Sequence, residues 1–110
     1  MWVVTSIGFF SIVEKPCDKA THTLTIRARV REDLLLLRKT CLPSLGPILD
    51  YVGTDYAFRA TAPKKDVSEA FAQLVSAIDY TNFKNEVAKR QRRKRAETYH
   101  DVWTDLAGLE

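Results

Sequence analysis

Between Thr23 and Val30 the chain alternates without a break. Leu24, Ile26, Ala28 and Val30 are apolar, and Thr23, Thr25, Arg27 and Arg29 between them are polar or charged. A period of two is the side-chain repeat of an extended strand, and one apolar side opposite one polar side describes a sheet with a core on one face and a wetter face opposite. Sheets of that kind are antiparallel. A lone hairpin is marginal in water, so this strand obliges the rest of the chain to supply more strands and something apolar to cover them.

The first partner lies upstream. Trp2, Val3, Val4, Ile7, Phe9, Phe10, Ile12 and Val13 are β-branched or aromatic, and Gly8 interrupts them as a bulge or bend would, which allows one long bent strand or two short ones. Pro16 to Ala20 reads as a polar turn leading back into the alternating strand, with Arg27 and Arg29 on its wetter side. Arg31, Glu32 and Asp33 then open a helix whose acids suit the positive end of its dipole, and Pro43 stops it. The run Leu34 to Leu37 cannot lie on a single stripe, so this helix is expected to be covered on more than one side.

After the loop Ser44 to Pro47, Ile48 to Val52 reads as a short strand turning at Gly53 and Thr54 into a strand from Tyr56 to Ala62. There Tyr56, Phe58, Ala60 and Ala62 share one face. From Lys64 the period becomes helical, with Val67, Ala70, Phe71, Leu74, Val75 and Ile78 on one stripe. Asp79 to Asn82 supplies turn and N-cap chemistry, and a final helical stretch carries the stripe Ala96, Tyr99, Trp103 and Leu106, shouldered by Val102 and Leu109. The order predicts a single α+β domain over residues 1–110: a mainly antiparallel sheet of three to four strands with helices on one face, then a C-terminal helical extension. If residues 48–52 form a strand, the order ββαββα is what a circular permutation of the ferredoxin-like split βαβ would give. The sheet-and-helix core takes residues 1–80 and the extension residues 81–110.

At 110 residues, 45% hydrophobic and 28% charged, the chain can bury one core without staples. Cys17 and Cys41 are too few for a disulfide scaffold and have no metal-ligand spacing, which fits a reducing compartment. No apolar run approaches the length of a membrane span and the N-terminus has no secretory pattern, so a cytoplasmic protein with no membrane partner is expected.

The net charge of +3 hides an asymmetry. Between Lys84 and Arg95 stand seven basic residues (Lys84, Lys89, Arg90, Arg92, Arg93, Lys94, Arg95) against Glu86 alone, a local +6, whereas the other 98 residues sum to −3. Such a segment can contact phosphates and so bind nucleic acid, or can dock an acidic protein; it can equally be a solvated helix or helix break whose alkyl stems cover apolar surface. Arg92 is expected near the stripe of Ala96 and Tyr99, and aromatics interleaved among the basic residues, the usual sign of a single-strand binder, are missing. Asp79, Tyr80 and His100 are the candidates for a small acid/base pocket, with turn formation and capping as the alternative explanation for the first two. Cys17 is expected in an exposed turn and Cys41 as an inert core thiol. No phosphate-loop, metal or acyl-transfer motif is present, so no cofactor, metal ligand or catalytic residue is assigned. The uncharged first strand is a candidate sheet edge, through which two copies could pair.

Taken together, residues 1–13 with Pro16, Leu24 to Arg29, Asp55-Tyr56 with Arg59-Ala60, Asp79-Tyr80 with Asn82 to Lys84, Arg90-Gln91, and Tyr99 with Val102-Trp103 resemble a family of small uncharacterised bacterial proteins. The resemblance covers nearly the whole chain and implies a bacterial cytoplasmic domain, with no activity or site residue attached. Family members tend to have glycine and fewer basic residues where Arg92 to Arg95 stand, which marks that part of the run as peculiar to this chain. The expectation is a non-enzymatic interaction or accessory domain, partnered by itself or another protein. Nucleic-acid binding through the basic helix is the alternative, and a small enzyme using Asp79, Tyr80 and His100 the third.

Overall fold

Strands β1 (Trp2–Thr5), β2 (Gly8–Val13), β3 (Thr23–Ala28), β4 (Leu49–Asp50) and β5 (Phe58–Pro63) make one sheet in the order β1-β2-β3-β5-β4. The computed structural model describes all residues, Met1–Glu110. The expected three to four strands become five because the N-terminal run divides at Ser6 and Ile7 and because two residues of the 48–52 stretch pair with β5. β5 is antiparallel to β3 on one side, with Ile26 opposite Ala60, and to β4 on the other, with Leu49 opposite Arg59. β3 and β4 therefore run parallel with β5 between them, linked through helix α2 (Arg31–Thr40), and helix α3 (Lys64–Ser76) follows β5. This is the permuted split βαβ that the element order predicts, extended by β1 at one edge.

Alternation sorts the sheet into two faces. Phe10, Ile12, Ile26, Ala28, Ala60 and Ala62 are buried on one of them, with Leu34 and Leu37 of α2 and Val67 and Ala70 of α3 completing the core. Phe10 meets Phe71 of α3 edge to face at 6.2 Å. Burial of each large aliphatic side chain contributes about 2 kcal/mol. The helical stripes are narrower than the spacing predicts. Leu35 is 40% exposed, so α2 buries one stripe only, and Val75 is 67% exposed as α3 ends at Ser76, short of Ile78.

A close approach fixes α2 against β2. Gly8 is buried on the core face, where an added Cβ would fall 2.7 Å from Asp33 Cγ, and the Phe9 N–H donates to Asp33 Oδ2 at 3.0 Å. Asp33, one of the acids expected in the first helical turn, is buried. Only glycine lets the strand come near enough for that bond.

The second correction concerns residues 16–20, expected as a turn. Pro16–Thr21 forms helix α1, because proline suits a first helical position and because the Asp18 carboxylate accepts the Lys15 N–H at 2.8 Å. The same carboxylate accepts the Thr23 hydroxyl at 2.6 Å and the Thr25 hydroxyl at 2.8 Å, tying α1 to the polar side of β3. Burial pushes the Asp18 carboxyl up. Hydrogen bonds from Thr23, Lys15 and Thr25, with the Lys15 charge, outweigh burial and hold it below its ordinary 3.8. The third correction is Tyr56, which precedes β5 and packs not with Phe58 and Ala60 but on the polar face, 6.3 Å from Phe9.

The chain falls into two compact units, Met1–Val4 with Gly8–Ile78, and Thr5–Ile7 with Asp79–Glu110. The second begins two residues before the expected extension and takes in a piece of the N-terminal turn. It holds helices α4 (Phe83–Gln91) and α5 (Arg93–Leu106), then a short 3₁₀ turn at Ala107–Leu109.

Two measurements check the two anchors. Gly8→Ala should cost about 2 kcal/mol in urea unfolding, and the same substitution in an Asp33→Ala background should cost less, since the clashing side chain is gone. Asp18→Asn should cost about 1–3 kcal/mol at pH 7. Because the native carboxyl sits below its unfolded value of about 3.9, its contribution is complete above that pH and disappears as pH falls through the native value, so the gap between native protein and variant should close on acidification.

Candidate functional site

The basic residues sit on a helical hairpin whose ends are chemically set. Asn82 caps α4 by accepting the Asn85 N–H at 2.9 Å, as the turn chemistry predicts. Phe83 at the start of α4 stacks on Tyr99 of α5 at 6.0 Å and 8°, and Tyr80 leans on Phe83 at 6.4 Å. Contacts of the beginning of α4 with the middle of α5 mean that α5 runs back along α4. Val87 and Tyr99 are buried in this unit, and the Gln91 side chain donates to the Ser6 carbonyl at 3.3 Å. The stripe expected through Trp103 and Leu106 is not buried: Trp103 is 65% exposed, because α5 outruns the nine residues of α4 that could cover it.

A single residue makes the reversal. Arg92 has φ 91° and ψ 159°, serving at once as the C-cap of α4 and the N-cap of α5. That region is close to glycine-only and costs a side-chain-bearing residue about 1–3 kcal/mol. Arg92 is consequently exposed at the break and not against the Ala96 and Tyr99 stripe, where helical spacing would put it. The break also leaves α5 with Arg93, Lys94 and Arg95 in its first turn and no acid there. Positive side chains at the positive end of a helix are the unfavourable sign, by about 0.3–1 kcal/mol each.

The seven basic residues separate into three groups. Arg90 donates to Glu86 at 2.5 Å and Arg93 pairs with Glu97 at 3.2 Å. The Glu86 hydrogen bond raises Arg90 above the ordinary guanidinium value against the opposing effect of burial, and Asp79 adds a smaller push upward. Arg95 and Lys84 turn to aromatic rings: Arg95 lies 5.8 Å from the Tyr99 ring centre and donates to its hydroxyl, and Lys84 Nζ sits 4.8 Å from the Trp103 ring centre. Lys89, Arg92 and Lys94 are exposed and have no carboxylate within ion-pair distance. The fold thus places an exposed indole next to the basic surface, although no aromatic interrupts the basic run in sequence.

Asp79, Tyr80 and His100 all belong to this unit but make separate contacts. His100 Nδ1 lies 3.0 Å from Lys84 Nζ and its ring stacks on Trp103 at 5.4 Å, whereas Tyr80 is on Phe83 and, with Asp79, on the Arg90 side, each pushing Arg90 slightly upward. His100 and Asp79 are exposed. No three His, Cys, Asp or Glu side chains come together in a way that could hold a metal ion, and no helix is long and apolar enough to cross a membrane. Cys17 is exposed on α1, not in a turn, and Cys41 is half-buried just past α2, where burial raises its thiol above the ordinary value.

Alternation puts Arg27 and Arg29 on the wetter face of β3 and assigns them no role. Arg29 is exposed, but Arg27 is half-buried, and with Arg59 they gather around Tyr56. Strand register brings Arg59 opposite Arg27, and Tyr56 reaches them from the segment just before β5.

Compared with protein-family models, with curated proteins and with solved structures, the chain matches none. The resemblance drawn from the sequence is therefore not joined by a family assignment, and the chemistry of the residues carries the functional argument.

Arg92→Gly should stabilise the protein by about 1 kcal/mol in denaturant unfolding, the relief at positive φ exceeding the entropy cost of glycine. Arg92→Ala removes the same charge without the relief and should bring no such gain.

Proposed function

We propose that the protein is a non-enzymatic interaction domain that takes a polyanionic partner on its C-terminal helical hairpin, nucleic acid being the partner whose chemistry that surface fits best. The observation that carries this is the state of Lys89, Arg92 and Lys94: exposed, without carboxylate partners, and clustered at a helix break whose following turn is basic throughout. A surface serving only solubility would gain by pairing these charges or by placing an acid at the start of α5, where the dipole favours one. Trp103 favours nucleic acid over an acidic protein. An indole two-thirds exposed beside Lys84 and His100 can stack a base while neighbouring cations hold the phosphates.

Fluorescence anisotropy with labelled single-stranded DNA, single-stranded RNA and duplex DNA tests this. Affinity should fall with salt with a logarithmic slope of about −3, corresponding to about four phosphate contacts at 0.7 to 0.9 each. Trp103→Ala should weaken single-strand binding by about tenfold, a stacking loss of about 1–3 kcal/mol. Replacing Lys89, Arg92 and Lys94 with glutamine should abolish binding to all three while the protein stays folded. Absence of salt-dependent binding at low ionic strength would remove nucleic acid as the partner.

A further inference from the structure

The polar face of the sheet carries a second basic cluster that the proposed function does not use. Arg27 and Arg59 face each other as register partners across β3 and β5, and like charges directly opposite repel. The Arg27 guanidinium lies over the Tyr56 ring at 4.8 Å and that of Arg29 over the same ring at 5.3 Å. Arg59 donates through Nε to the Tyr56 carbonyl at 3.4 Å, and its guanidinium covers the Tyr51 ring at 4.8 Å. Two cations thus share the ring of buried Tyr56, and a third reaches its carbonyl from the neighbouring Tyr51.

None of them has an anion. The ion pairs of the protein are Lys64 with Glu14, Arg90 with Glu86 and Arg93 with Glu97. The two buried carboxylates of this unit are committed elsewhere, Asp18 to α1 and β3, and Asp33 to the Phe9 N–H. Arg27 donates Nη2 to the buried Ser11 hydroxyl at 2.7 Å, and its Nε is closed off from water with no acceptor. Packing does not require this arrangement. One guanidinium on Tyr56 supplies a cation–π contact, and each further one adds charge repulsion that no ion pair of the protein offsets.

We propose that Arg27, Arg29 and Arg59 form a binding site for a phosphate group. A guanidinium presents a fork of donors matched to two oxygens of a tetrahedral oxyanion, and three of them suit a dianion better than a single carboxylate. The ligand supplies the missing counter-charge and converts the repulsion between the arginines into shared attraction. The site lies wholly within the sheet unit, so it stands or falls independently of the helical hairpin.

The test is calorimetric titration of the full-length protein, in chloride buffer at constant ionic strength, with inorganic phosphate, with phenyl phosphate and with acetate. Saturable binding of phosphate at millimolar or lower concentration is expected, with acetate at least tenfold weaker. Tighter binding of phenyl phosphate would identify a phosphate monoester as the ligand, and equal or weaker binding would identify the free ion. Arg29→Gln, at an exposed position, and Arg59→Gln should each weaken phosphate binding at least tenfold, and the Lys89/Arg92/Lys94 glutamine variant should leave it unchanged. The Arg27 Nε–H resonance should shift on phosphate addition. The proposal is overturned by absence of saturable phosphate binding, by binding that survives both sheet substitutions, or by binding lost in the hairpin variant.

Discussion

The contact between Asp33 and the start of β2 sets the geometry of the core. Its carboxylate takes the Phe9 N–H at 3.0 Å in a space that exists only because residue 8 has no side chain. With that bond made, the first turn of α2 is pinned to a central strand, and Leu34 and Leu37 come down over Phe10, Ile12 and Ile26. A buried carboxylate without a donor would be strongly unfavourable, so the bond also selects this register over a slipped one. Asp18 does the corresponding work at the other end of β2, where it closes α1 and holds Thr23 and Thr25.

These two aspartates explain why the sheet can be one-sided in hydrophobicity and still be covered on part of its second face. The apolar face is closed by two helices, as any amphipathic sheet requires. The polar face is organised by hydrogen bonds and ring contacts: Asp18 with threonines, Ser11 with Arg27, and arginines with Tyr56. Groups that read as solvent-facing in an alternating strand are there partly withdrawn from water, which makes their unbalanced charge consequential.

The helical hairpin follows another logic. Its aromatic contacts, Tyr80 to Phe83 to Tyr99, hold two helices together through a small buried area, while its charges remain mostly outside. A reversal through one arginine at positive φ places the basic residues around a break, so they do not line one helix stripe, and only Lys84 and Arg95 lie on aromatic rings.

Composition and periodicity determined the fold class through the period-two pattern of Thr23 to Val30 and the helical stripe from Val67, whereas the permuted split βαβ hung on a strand in residues 48–52, which the pairing of Leu49 and Asp50 with β5 decided. They determined the +6 segment as well, since charge is read residue by residue. Tertiary structure alone decided that Asp33 and Asp18 are buried, that Tyr56 faces the arginines, and that Trp103 stands exposed beside Lys84. Each of these depends on partners 5 to 32 positions away or more, such as Phe9 for Asp33 or Arg59 for Arg27. Local propensity has no access to such pairings, because a polar side chain looks the same in sequence whether water or a buried N–H will take its hydrogen bond.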